Sequence, residues 1–145
     1  MKRITQIAFA FAVVLMLVSC KNTKQKIQDH VTTYNNSSSI KGHGVTSTSA
    51  KAHLNDNKIE IRIETNLEET DANRIFYKES FPELLREMVK NDQISTALID
   101  EGVTFDVYFL AYNNAILAQQ SVNKEELAVL ENKTGTEENK ETAKL

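Results

Sequence analysis

Lys58-Ile59-Glu60-Ile61-Arg62-Ile63-Glu64-Thr65-Asn66-Leu67 is the stretch on which the fold turns. Isoleucines alternate strictly with charged residues, and successive side chains of an extended strand point to opposite faces. One face of this strand is therefore apolar and the other wet. Upstream, Thr46 to Leu54 alternates more weakly. A two-residue turn at Asp56-Asn57 would pair Leu54 with Ile59, Ala52 with Ile61 and Ala50 with Ile63, gathering the apolar residues of both strands onto one side.

Downstream, Ser80-Phe81-Pro82-Glu83 has the form of a capping box with proline in the first turn, followed by Leu84, Leu85, Met88 and Val89 at helical spacing. This predicts a helix from Phe81 to about Lys90. Carried further, that helix would place Ile94 and Leu98 opposite Leu85 and Met88. A break at Asn91-Asp92 and a second helix from Gln93 to Glu101, stopped by Gly102, resolve the conflict. Residues 71–79 read equally as helix or loop. Val103 to Tyr112 and Ala115 to Val122 form a second hairpin around Asn113-Asn114, a pair that tolerates left-handed turn conformations. Asn123 caps a short last helix through Leu130. The expected order is β-β-α-α-β-β-α, a single small α+β domain with a mostly antiparallel sheet of two hairpins and helices packed on it.

A two-residue turn in the second hairpin sends Phe105, Val107, Phe109, Ala111, Ile116, Ala118 and Val122 to the core. The opposite face then carries Tyr108, Leu110, Tyr112 and Leu117, more apolar than solvent contact requires. Uncovered, these four residues form the candidate interaction surface. Covered by the last helix or by the polar segment near the N-terminus, they form a second small core, which the aggregation hazard of a bare apolar sheet favours.

At the N-terminus, Met1-Lys2-Arg3 is a basic start, Ile7 to Val18 an unbroken apolar run, and Leu17-Val18-Ser19-Cys20 brings in the only cysteine. The run is too short for the roughly 20 apolar residues that cross a bilayer, and bulky Leu17 does not suit an ordinary secretory cleavage site. The segment resembles a bacterial lipoprotein signal sequence, with Leu17 to Cys20 as the lipobox. The resemblance implies cleavage before Cys20, a diacylglycerol on its sulfur, usually an acylated amine, and a lipid bilayer as partner. Several acyl chains hold far more firmly than one, at about 0.8 kcal/mol per buried CH₂. With neither an aspartate nor an acidic cluster after the cysteine, the expected site is the outer membrane, facing the periplasm.

These readings divide the chain into a leader (1–19), a polar stem (20–44), in which Ile27, Val31 and Tyr34 make only a thin stripe that gives weak support to a short helix over Lys24 to Tyr34, the α+β domain (45–131) and a charged, disordered tail (132–145). A coil of the stem's length would let the domain stand about 25 Å from the bilayer. Lys21, Lys24 and Lys26 crowd the anchor. Loss of Lys2 and Arg3 with the leader takes the side-chain charge from −3 to −5. An acidic balance without a basic face argues against nucleic acid as a partner.

Lipidation of Cys20 leaves no thiol for a disulfide, a metal or a nucleophile. His30, His43 and His53 have no ligand-like spacing, although the register above sets His53 opposite Glu60. Glu68, Glu69, Asp71, Asp100 and Glu101 sit where solvated acids are normal, and no nucleotide, zinc or serine-nucleophile motif occurs. No cofactor is expected. The reading is a non-enzymatic, membrane-anchored module that binds an envelope protein. The alternative is a small-ligand or inhibitor domain.

Overall fold

Ile59, Ile61 and Ile63 are all fully buried, and the charged residues between them point outward. In the computed structural model the described residues are 23–141; the leader, Cys20 and the last four residues lie outside them. Strand β1 (Val45–His53) pairs antiparallel with β2 (Lys58–Thr65), and β3 (Thr104–Leu110) pairs antiparallel with β4 (Ile116–Val122). Between the hairpins β2 and β3 run parallel, giving the order β1-β2-β3-β4. Both expected antiparallel hairpins form, but they meet through a parallel pair, so the sheet is mixed rather than simply two antiparallel hairpins side by side. Parallel neighbours need a long crossover, and residues 66–103 supply it with α2 (Asp71–Lys90) and α3 (Thr96–Asp100).

The first hairpin forms with a wider turn than the sequence suggested. Leu54 to Asn57 all belong to it, and Ala52 pairs with Ile59, Ala50 with Ile61 and Thr48 with Ile63. The register has slipped by an even step, so the same residues stay on the core face. His53 still reaches Glu60, diagonally rather than directly, at 3.2 Å.

The largest correction concerns residues 20–44. Far from being a stem throughout, this segment contains a helix, α1, over residues 23–37. The apolar stripe Ile27, Val31, Tyr34 looked thin, but the sheet needs only such a stripe: Ile27 is 0% and Tyr34 2% exposed. The Tyr34 hydroxyl bonds that of Thr48 at 2.6 Å, and its burial raises the phenol pKa. Asn35 donates to the Ala50 carbonyl at 2.9 Å and accepts its N–H at 2.7 Å, closing backbone groups on the outer edge of β1. The His30 ring sits edge-on to Phe105, and its Nε2 bonds the Gln93 carbonyl at 3.1 Å.

Helix α2 starts ten residues before the predicted cap. Thr70 is the N-cap, accepting from Asn73 N–H at 3.1 Å, while Ser80 Oγ bonds back to the Phe76 carbonyl. Pro82 therefore sits inside the helix. An interior proline costs about 3 kcal/mol, but burying Phe81, Leu84, Leu85 and Met88 returns about 1.5–3 kcal/mol apiece. Helix α3 is shorter than expected, capped by Ser95 and ended by Gly102, whose φ of +91° only glycine adopts easily. After Asn123, whose side chain accepts from Glu125 and Glu126 N–H at 3.0 Å, α4 (Lys124–Glu141) continues well past Leu130. The expected disordered tail is thus helical through Glu141. Once Leu127 and Leu130 anchor the first turns, each further residue adds a hydrogen bond at little cost.

Buried residues of all four helices join one cluster with Ile61, Phe105 and Phe109. Two outcomes follow. Ile27→Ala should lower stability by about 2–5 kcal/mol in urea unfolding, whereas a stem residue would have almost no effect. Burial also lowers the His30 pKa from 6.5, outweighing the opposing pull of Gln93 and Asp92. Below that value the unfolded chain binds a proton that the folded ring resists, so stability falls as the pH drops through the interval beneath 6.5. Unfolding midpoints across that interval should show a slope that His30→Gln reduces.

Candidate interaction surface

The four residues expected to share one face do not do so. Leu110 is 1% and Leu117 4% exposed, Tyr108 is half-buried, and Tyr112 is 67% exposed. The cause is a bulge: Phe109 pairs with Ala118 but Leu110 pairs with Ile116, leaving Leu117 as the extra residue. Leu117 turns into the main core, and Ile116, expected there, is instead 41% exposed. Leu110 is buried outside that main cluster. Of the proposed surface, only Tyr112 is freely presented.

Around Tyr108 the helix-free face of the sheet is occupied by polar groups that bind one another. Asp106 accepts from Lys58 at 3.1 Å, a bond that raises the Lys58 pKa, and from Ser121 at 2.5 Å. Glu60 lies between His53 and Arg62, and Ser47 donates to Glu64 at 2.7 Å. Partly exposed pairs of this kind contribute about 0–1 kcal/mol each. They make a wetted surface with its hydrogen bonds already made.

Exposed apolar residues gather instead near one end of the sheet. Glu69 accepts from Asn113 in the β3–β4 turn at 2.8 Å and from the Arg74 guanidinium on α2. These two donors hold its carboxyl below the usual carboxylate range. Tyr112 N–H donates to the Leu67 carbonyl at 2.9 Å, tying the turn to the same segment. Next to these partners in sequence stand Tyr112, Ile75 and Phe76, the last two 61% and 58% exposed. Phe76 is not loose. Its ring meets Tyr77 edge-on with centroids 5.0 Å apart, and Tyr77 lies against the buried Phe109 at 4.8 Å. An aromatic row thus leads from the core to the surface, with His43 edge-on to Tyr77 at 6.2 Å.

The sequence contained a signal for this cluster. Phe76 precedes Leu85 by nine residues, which at 100° per residue puts it on the opposite side of one continuous helix. Reading residues 71–79 as undecided hid it.

Elsewhere, Val89, Leu127 and Leu130 line a groove of about 140 Å³ between α2 and α4, with Arg86, Lys90 and Glu131 at its margin. Arg86 pairs with Glu83 through Nη1, while its buried Nε has no partner among the described residues. The volume is below the roughly 300–1,000 Å³ of most small-molecule sites. His30, His43 and His53 lie apart, and among the described residues no set of three or more His, Cys, Asp or Glu could hold a metal ion. No described helix is long and apolar enough to cross a membrane.

No family model, curated protein or solved structure matches the chain. Its class rests on its own geometry: a small α+β domain with a four-stranded mixed sheet and four helices, carrying a braced apolar cluster at one end.

If Glu69 braces that end, Glu69→Ala should speed hydrogen exchange at the Tyr112 amide while leaving the Ile61 amide in the central strand protected. Equal exchange at Tyr112 in both proteins would remove Glu69 from this role.

Proposed function

We propose that this chain is a lipid-anchored bacterial envelope protein whose domain recognises a protein partner and performs no catalysis. The anchor is Cys20, within the Leu17-Val18-Ser19-Cys20 element, and the expected location is the periplasmic face of the outer membrane. The observation that carries the recognition reading is the exposed Phe76 ring, mounted through Tyr77 on Phe109 and flanked by Ile75. Aromatic side chains held rigid before binding lose little entropy at an interface and commonly supply its strongest contacts. Tyr112, retained from the earlier candidate set, adds an amphipathic ring.

A second reading, an inhibitor of a basic enzyme or toxin, is favoured by Glu68, Glu69 and Asp71, which border the same cluster. It is a narrower form of the first, in which the partner's charge is specified.

Crosslinking in intact cells followed by recovery of the full chain should capture a partner that Phe76→Ala and Tyr112→Ala release. Loss of a central aromatic contact weakens binding by about 2 kcal/mol, or roughly 30-fold. Partners captured equally by both variants would rule this surface out. If the partner is basic, capture should also fall steeply with added salt.

A further inference from the structure

We infer that the domain is held upright on the bilayer, with the end that bears the β1–β2 turn and Gly102 against the lipid headgroups and the Phe76 end pointing away. This rests on the proposed lipid anchor at Cys20. The argument begins with where the packed chain starts. Residue 23 already belongs to α1, and three covalent steps from Cys20 reach at most about 11 Å. Whatever surrounds the first turn of α1 must therefore lie close to the membrane.

That first turn is clasped. Glu101 accepts from Lys26 at 2.5 Å and from Thr23 at 2.8 Å, and both donors hold its carboxyl below the usual range. Glu101 stands immediately before Gly102 and β3. Thr104 N–H donates to the Asn57 carbonyl at 3.1 Å, so the β1–β2 turn belongs to the same end. A recess of about 300 Å³ lined by Gly102, Thr104 and Lys124 places the start of α4 there too. From Thr104, β3 runs away from this end for about 20 Å before reaching Leu110, with Tyr112 farther on. The link to Cys20 is too short for the far end to exchange places with the near one.

The short link rather than charge sets the direction, since both ends are mixed: Glu64, Glu68, Glu69 and Asp71 stand with Arg74 at the far end, and Lys24, Lys26, Lys58 and Lys124 with Asp56, Asp100, Glu101 and Asp106 at the near one. The upright arrangement thus presents Ile75, Phe76 and Tyr112 to the aqueous space.

Two reporters test this in the full lipidated chain. Asn55→Cys lies in the β1–β2 turn and Glu68→Cys at the far end, and both positions are exposed. Each carries a thiol-reactive fluorophore, in vesicles of phosphatidylethanolamine and phosphatidylglycerol with a nitroxide on the headgroup. Quenching at 55 and its loss at 68 is the expected result. Equal quenching at both sites, or quenching at 68 alone, overturns the proposal. Lengthening the link with a ten-residue Gly-Ser insertion after Asn22 should even out the two signals while the unfolding midpoint stays close to that of the parent, because α1 remains docked through Ile27 and Tyr34; an unchanged contrast would overturn the short-link argument and the orientation with it. The parent chain separates the two layers of inference, because a sulfur already bonded to diacylglycerol cannot be alkylated. A parent that takes up fluorophore at Cys20 overturns the anchor and this orientation together. A protected parent with equal quenching overturns the orientation alone.

Discussion

One face of the sheet has to be kept from water, and the remaining structure follows from that requirement. Ile59, Ile61, Ile63, Phe105, Val107 and Phe109 project from adjacent central strands to the same side and are all essentially inaccessible. Leaving them wet would forfeit about 1.5–3 kcal/mol per side chain. Helix α2 covers the β4 side, and α1 covers the β1 side through Ile27 and Tyr34. The opposite face needs no cover, because Lys58, Glu60, Arg62 and Asp106 can stay hydrated while bonding to one another. With a single cysteine in the chain, apolar burial has no intramolecular disulfide to assist it.

What the sequence made legible was whatever local periodicity controls. Four strands, their hairpin partners and the break after α2 were read correctly, since alternation and helical spacing repeat over a few residues. The register of the first hairpin was wrong by an even step, an error that leaves every side chain on its proper face. The bulge in β4 is a step of one, so it exchanged the fates of Ile116 and Leu117 and took Leu117 from the candidate surface. Nothing between Ile59 and Phe105 marks the parallel pairing, because that contact is made by two hairpins meeting after a long crossover.

Helix α1 is only weakly legible for a related reason. Ile27 and Tyr34 are too few to define an amphipathic helix by themselves, and their value appears only against β1, where Thr48 and the Ala50 backbone meet Tyr34 and Asn35. Helix stability in small proteins comes mainly from such tertiary packing. The candidate site was obscured in the same way: Phe76 looks like an ordinary exposed aromatic until Tyr77 is seen to seat it on Phe109.

The position of α1 changes what an anchor at Cys20 can do. A coil would decouple the domain from the membrane, letting the Phe76 cluster sample all directions within its reach. A docked helix transmits the position of the anchor into the fold through Glu101 at one end of α1 and Asn35 at the other. Undocking it would expose Ile27 and Tyr34, now 0% and 2% accessible, and break the Tyr34–Thr48 and Asn35–Ala50 bonds. Under the proposed anchor, the docked α1 would set the end from which the domain hangs, with Glu101 bonding its first turn, while Glu69 ties the turn at the far end to α2.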